Sequence, residues 1–211
     1  MLKIHILGAS GSGKTTLGQE ISSRFHIPHY DLDQVGRELG LGGKLSAYIE
    51  TAFTLARKPG WVTENIGIIW TEPLLYHADY IVLLEVSWQV AAWRMLRRHI
   101  VNSLRVTNAY PGIKPLFELI QGTRLYSLNI TTPERVNAMR AYLQEHAERV
   151  EPPDSDLLLL CLETYAMDDL QGIPPTAEFT REYLEKYKEK VVLVRNKADR
   201  ERLLELLTRH Q

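Results

Sequence analysis

The chain has 211 residues, 45% of them hydrophobic, with 25 basic against 26 acidic side chains and a formal net charge of −1. That length and apolar content suffice for one domain with a full core and room for an inserted lobe. The near-neutral balance disfavours a broad nucleic-acid surface, and no apolar run approaches the ~20 residues needed to cross a bilayer.

Taken in chain order, the apolar run MLKIHIL is a candidate first strand, and TTLGQEISSRF after it carries Leu17, Ile21 and Phe25 at helical spacing. Between them residues 8–16 read GASGSGKTT and match G-x-x-x-x-G-K-[ST], with Gly8, Gly13, Lys14 and Thr15 in the fixed places. Glycines let the backbone turn its N–H groups toward a phosphate where a side chain would collide. A helix starting near Lys14 adds the positive end of its dipole. The loop residues Gly8, Ala9, Ser10, Gly11, Ser12 and Gly13, with Lys14, Thr15 and Thr16, are therefore expected to hold a nucleoside triphosphate. Lys14 would reach the β- and γ-phosphates, and the Thr15 hydroxyl would ligate Mg²⁺.

Residues 27–31 (IPHYD) follow as a short strand, placed at an edge or strand start by Pro28. A glycine-rich stretch, 36–43, precedes a helix over about 45–57 that Pro59-Gly60 stops. Residues 61–64 (WVTE) read as a third strand, 66–77 as a partly helical connection and 80–86 (YIVLLEV) as the strongest strand, with Ser87 capping a helix through Arg98 or beyond. From about 105 to 189 turn signals at Tyr110-Pro111-Gly112, Pro115, Pro152-Pro153 and Pro174-Pro175 separate helical stretches. The clearest is 133–150, capped by Thr132. Strand character returns at 191–194, before a final amphipathic helix over about 199–208. Strands alternating with helices imply an α/β fold whose parallel sheet is wrapped on both faces. Residues 1–211 then form a single domain, with about 105–189 as a helical insertion or lid.

Several side chains could carry chemistry at the sheet edge that bears the loop. Asp31 and Asp33, in YDLDQ, end the second strand and could hold Mg²⁺ through water or take a proton from an acceptor hydroxyl; a turn or helix cap is the competing reading. Glu64 ends the third strand and is a candidate Mg²⁺ contact, or else a solvated strand-end acid. Arg94, Arg97 and Arg98, in WRMLRRH, share a broad helix face with Arg105 a little beyond. They could stabilise a moving phosphoryl group or simply complement a helix dipole. Trp61, Trp70, Trp88 and Trp93 are expected in the core rather than as binding platforms. His5, His26, His29, His77, His99, His146 and His210 show no metal spacing. The single cysteine, Cys161, excludes an internal disulfide and, within LLLLCL, reads as a buried structural thiol. With an amino terminus that lacks a signal-peptide layout, this makes a reducing cytoplasm the expected location.

Asn196-Lys197-Ala198-Asp199 matches the N-K-x-D pattern by which GTP-binding switch proteins read guanine, and Asp33-Gln34-Val35-Gly36 supplies a D-x-x-G. The latter lies closer behind the phosphate loop than a switch protein needs. In either class Asn196 is a candidate for the base pocket.

Together GASGSGKTTLGQEIS, HYDLDQV, KPGWVTENIGIIWTEPLLYHADYIVLLEV, WRMLRRH and VVLVRNKADRERLLELL resemble the adenylate-kinase-like branch of P-loop kinases, nearest to the bacterial DNA topology modulation proteins. That resemblance implies a three-layer P-loop NTPase fold with a five-stranded parallel sheet in order 2-3-1-4-5 and a lid beginning after Arg94 to Arg98. It implies ATP and Mg²⁺ on residues 8–16, Asp33 on the acceptor side, and Arg94, Arg97 or Arg98 at the lid edge. The chain departs from the pattern in Glu64-Asn65, where relatives place an acid followed by glycine, and in the length of its insertion. The expected activity is ATP- and Mg²⁺-dependent phosphoryl transfer to a small molecule that the sequence does not identify. A nucleotide-sensing switch without an acceptor is the alternative. Neither nucleic acid nor membrane is expected as a partner, and the sequence leaves the oligomeric state open.

Overall fold

In a computed structural model of the chain, residues 1–34, 45–104, 112–146, 150–164 and 175–209 are described. Five strands, β1 (Lys3–Gly8), β2 (His29–Asp31), β3 (Trp61–Asn65), β4 (Tyr80–Leu84) and β5 (Val191–Val194), form one sheet in the order β2-β3-β1-β4-β5. Every pairing is parallel. This is the order that the resemblance implies, and every crossover between parallel neighbours needs a connecting segment that packs on a face of the sheet. The helices are α1 (Lys14–Phe25), α2 (Leu45–Ala56), α3 (Glu72–His77), α4 (Trp88–Leu104), α5 (Ile113–Ser127), α6 (Pro133–His146), α7 (Ser155–Thr164), α8 (Ala177–Leu184) and α9 (Lys197–Arg209). A short 3₁₀ turn, Glu185–Tyr187, follows α8.

The central strands are largely apolar on both sides because both sides are covered, with His5, Thr63, Glu64 and Asn65 as buried polar exceptions. Ile4, Ile6, Val62, Val82, Leu84 and Val194 pack against Leu17, Ile21 and Phe25 of α1 and Leu203, Leu204 and Leu207 of α9. The alternate residues Leu7, Trp61, Ile81 and Leu83 face the opposite layer, built from α2, α3 and the helices from α6 to α8. Two of the four tryptophans, Trp61 and Trp70, join this core, whereas Trp93 is 65% exposed on α4. Cys161 is buried, and its thiol is pushed up by burial.

The described part of the long stretch between α4 and β5 is mostly helical. From Met139 onward it is also part of the core: Met139, Tyr142, Leu158, Cys161, Leu162, Phe179, Tyr183, Leu184 and Tyr187 share one apolar cluster with Leu7 and Trp61. Only Thr123 of α5 is buried. No described helix is long and apolar enough to cross a membrane.

Among the described residues three non-glycines, His26, Ile69 and Asn129, have positive φ. Ile69, wholly buried between β3 and α3, has φ 65°, a conformation a β-branched residue rarely adopts. Hydrogen bonds from Trp70 N–H to Ile68 O and from Glu72 N–H to Ile69 O hold that turn. The glycine-rich stretch 36–43 and Arg105 lie outside the described residues, as do Val35 and Gly36 of the D-x-x-G pattern.

Candidate functional site

The sheet's carboxyl edge gathers the expected residues. β1 ends in Gly8, and the chain turns through residues 9–13 into α1, whose N-cap is Gly13 at φ 105°. Gly11, at φ 77°, passes so close to α4 that a Cβ there would sit 2.6 Å from the Ala91 carbonyl oxygen. Both glycines are therefore required by the turn and by that close approach. Arg94 of α4 reaches back and donates to the Ser12 carbonyl at 2.8 Å and the Gly11 carbonyl at 3.4 Å. The arginine helix thus braces the loop from outside, a contact between residues 82 positions apart.

Lys14 Nζ folds over the loop and donates to the Gly8 carbonyl at 2.7 Å and the Ala9 carbonyl at 3.2 Å. Burial pushes its ammonium below the ordinary lysine range; Glu64, Asp33 and Asp31 oppose that shift and Arg98 adds to it. The three carboxylates and Arg98 are therefore close enough to Lys14 for their charges to register there. Buried Ser12 Oγ has no hydrogen-bond partner. An orphaned hydroxyl in the loop that also carries the Lys14 ammonium is suited to a phosphate oxygen.

Glu64, at the end of β3, is 2% exposed. Its Oε2 accepts the Thr15 hydroxyl at 3.1 Å, and its Oε1 lies 3.0 Å from His29 Nε2. The buried contacts settle Glu64 against the solvated-acid reading. Thr15 and Glu64 bring hard oxygen donors together, the donor type Mg²⁺ takes when it keeps part of its water shell and its phosphates. Among the described residues no group of three or more His, Cys, Asp or Glu could hold a metal unaided. An ion carried in on phosphates fits this donor set better than an all-protein cage.

The two aspartates divide. Asp31 Oδ1 accepts the backbone N–H groups of Asp33 and Gln34 at 3.0 and 3.1 Å, which is the turn-capping role. Asp33 Oδ1 instead accepts the Asn65 amide at 2.9 Å, and Asn65 Oδ1 receives the Gly67 N–H. The asparagine that replaces the expected glycine therefore orients Asp33 and ties it to the turn after β3.

Asn196 and Asp199 form a reciprocal cap at the start of α9. Asp199 N–H donates to Asn196 Oδ1 at 3.0 Å, and Arg195 N–H donates to Asp199 Oδ2 at 3.0 Å. Asn196 Oδ1 and Asp199 Oδ2 are thus committed to the helix terminus, and Asp199 Oδ1 lies 3.5 Å from Arg202 Nη1. Arg97 and Arg98 are exposed on α4. His29 was not singled out in the sequence, although strand alternation puts His29, Asp31 and Glu64 on the same face as Ile6.

No family model matches the chain, and none of the curated proteins matches it. Solved structures similar to it include the shikimate kinase of Acinetobacter baumannii in complex with shikimate, at 16% identity and TM-score 0.43, covering 81% of this chain and 96% of that one. The shikimate kinase of Bacteroides thetaiotaomicron follows at 16% identity and TM-score 0.37, covering 89% and 96%. A gluconokinase from Sinorhizobium meliloti 1021 has 21% identity and TM-score 0.35, covering 69% and 98%. At such scores the reading of the fold rests on the strand order and the loop themselves.

Proposed function

We propose that the chain is an ATP- and Mg²⁺-dependent phosphotransferase acting on a small hydroxylated acceptor. The observation that carries the reading is the convergence at one loop of the Lys14 ammonium, the Thr15 hydroxyl and the buried Glu64 carboxylate behind it. The loop amides and Lys14 would neutralise the β- and γ-phosphates. Mg²⁺, held by Thr15 with Glu64 and Asp33 on its water shell, would neutralise charge between those phosphates.

Phosphoryl transfer needs little covalent help, so the remaining residues act by position and charge. The acceptor hydroxyl oxygen forms the new bond to the γ-phosphorus while the bond to the ADP oxygen breaks. Asp33, oriented by Asn65, would take the hydroxyl proton. The charge of Arg98 registers on Lys14, and Arg98 would stabilise the transferring group. Arg94 would keep the loop in shape. Movement of α5 over the site, with the end of α4, would exclude water.

The capping role of Asn196 and Asp199 disfavours guanine reading and hence the GTP-binding form of the switch alternative. Calorimetry with ATP and GTP, each with Mg²⁺, tests the binding claim: heat from ATP is expected, and silence with both nucleotides on folded protein removes it. A panel of nucleosides, nucleoside monophosphates and small polyhydroxy compounds then tests transfer through acceptor-dependent ADP release. Release that no acceptor accelerates would favour plain hydrolysis.

A further inference from the structure

We infer that His29 is a positioning residue of the magnesium site, holding the Glu64 carboxylate in the orientation that serves Thr15; this rests on the nucleotide-binding reading above. Both oxygens of Glu64 are committed, one to the Thr15 hydroxyl at 3.1 Å and the other to His29 Nε2 at 3.0 Å. An ionised carboxylate only accepts, so Nε2 carries the proton and donates it. Thr15 has one hydroxyl hydrogen. When Glu64 accepts it, the lone pairs of Thr15 Oγ1 remain available to a cation. A Glu64 free to rotate would release that hydroxyl to turn as well.

Two elements fix the ring. The parallel register pairs Asp31 with Glu64 and His29 with Val62, so the imidazole lies on the α1 face of the sheet, one step below the carboxylate. From above, Gly18 of α1 meets it so tightly that a Cβ there would be 2.5 Å from Nε2 and 2.8 Å from Cδ2. Only glycine at position 18 lets the imidazole lie where it reaches Glu64. The His29 side chain is 14% exposed and Glu64 2%, so water competes weakly for the pair. Groups that hydrogen-bond a metal's carboxylate partners in this way typically change metal affinity about 10- to 100-fold when removed.

The experiment compares ATP affinity by calorimetry with Mg²⁺ and with EDTA, on the full chain. The ratio of the two affinities is the metal's contribution. His29→Leu should cut that ratio about tenfold and leave the EDTA affinity unchanged. His29→Gln, whose amide nitrogen can donate from near the Nε2 position, should restore most of it. Gly18→Ala should lower the ratio as His29→Leu does, even though alanine favours the helix. An unchanged ratio in His29→Leu, or a glutamine variant no better than leucine, overturns the inference. Should His29→Leu fail to fold, Gly18→Ala and His29→Gln decide: an unchanged ratio in Gly18→Ala also overturns it. Failure of the wild-type protein to bind ATP under either condition would instead remove the nucleotide reading itself.

Discussion

The phosphate loop and the helical middle are fixed in different ways. Residues 8–16 are set by contacts a single methyl would break, such as the 2.6 Å approach of a Cβ at Gly11 to the Ala91 carbonyl, and by a lysine bonded to carbonyls five and six residues away. The middle is set by side chains that meet across the sequence. Glu72 at the start of α3 accepts the hydroxyls of Tyr183 and Tyr187 and the ammonium of Lys186, partners at least 111 positions distant. Around them Tyr142 stacks on Tyr183 with ring centroids 6.0 Å apart, and Phe179 lies 6.4 Å from Tyr183. The loop is thus specified by backbone geometry, the middle by a buried polar knot inside an aromatic cluster.

Breaking the knot gives the largest expected effect. Lys186 and Glu72 have side chains 5% and 8% exposed, so Glu72→Leu leaves a cation buried without its partner. The expected loss is about 3–5 kcal/mol in urea denaturation. Combining Glu72→Leu with Lys186→Met should recover most of it, since removing both charges avoids the orphaned ion. A single variant no worse than a surface substitution would mean that aromatic packing alone holds α8. Both tyrosine hydroxyls are pushed up in pKa by burial and by Glu72, so they act as neutral donors in this cluster.

The complementary change touches function and spares the fold. Lys14→Ala should reduce turnover about 10²- to 10³-fold, as loss of one oriented group at developing charge does elsewhere. Its melting temperature should change little, because the two carbonyl bonds it loses are offset by removal of a buried cation. Full activity in Lys14→Ala would break the assignment of chemistry to this end of the molecule.

The same contrast explains what could be read in advance. The loop was legible because glycine, lysine and threonine act at fixed short offsets, and the strands from their apolar runs; the sheet order came only through the family resemblance. Glu64 was legible as a candidate from its place at a strand end. Its burial, and the link to His29, required knowing that β2 pairs with β3. Arg94 was legible as a charge near the site but not as a brace on Ser12, a contact that depends on how α4 crosses the loop. Asp31 and Asp33 look alike in YDLDQ, and only Asn65, 32 positions from Asp33, separates their roles. In the middle, turn signals separated helical stretches and bounded only one, over 133–150, of which Pro133–His146 is helical. Nothing local showed that Tyr183 and Tyr187 would meet Glu72.

A smaller effect tests the sheet beneath both regions. Central in β1, His5 is fully buried with Nδ1 2.7 Å from Thr63 Oγ1 and Nε2 without a partner. Burial lowers its pKa from 6.5 to about 3. Between those values the unfolded chain binds a proton that the folded one refuses. The stability His5 allows is therefore complete above pH 6.5 and is lost as pH falls toward 3. At pH 5 the loss should be about 2 kcal/mol. His5→Val should flatten the stability profile between pH 6.5 and 5 by that amount, whatever its effect at neutral pH. An unaltered slope would place the acid sensitivity elsewhere.

The smallest effect discriminates most sharply between the two functions considered. If Asp199 reads guanine, Asp199→Asn should abolish a strong GTP preference. The cap geometry predicts otherwise: Asp199 Oδ2 accepts the Arg195 N–H and its charge lies in the first turn of α9, worth about 0.3–1 kcal/mol. Asp199→Asn should thus lower stability by that modest amount and leave the ratio of ATP to GTP affinity unchanged in competition calorimetry. The aspartate serves a helix that covers the α1 side of the sheet, through Leu203, Leu204 and Leu207, and its substitution should be felt there rather than at the base.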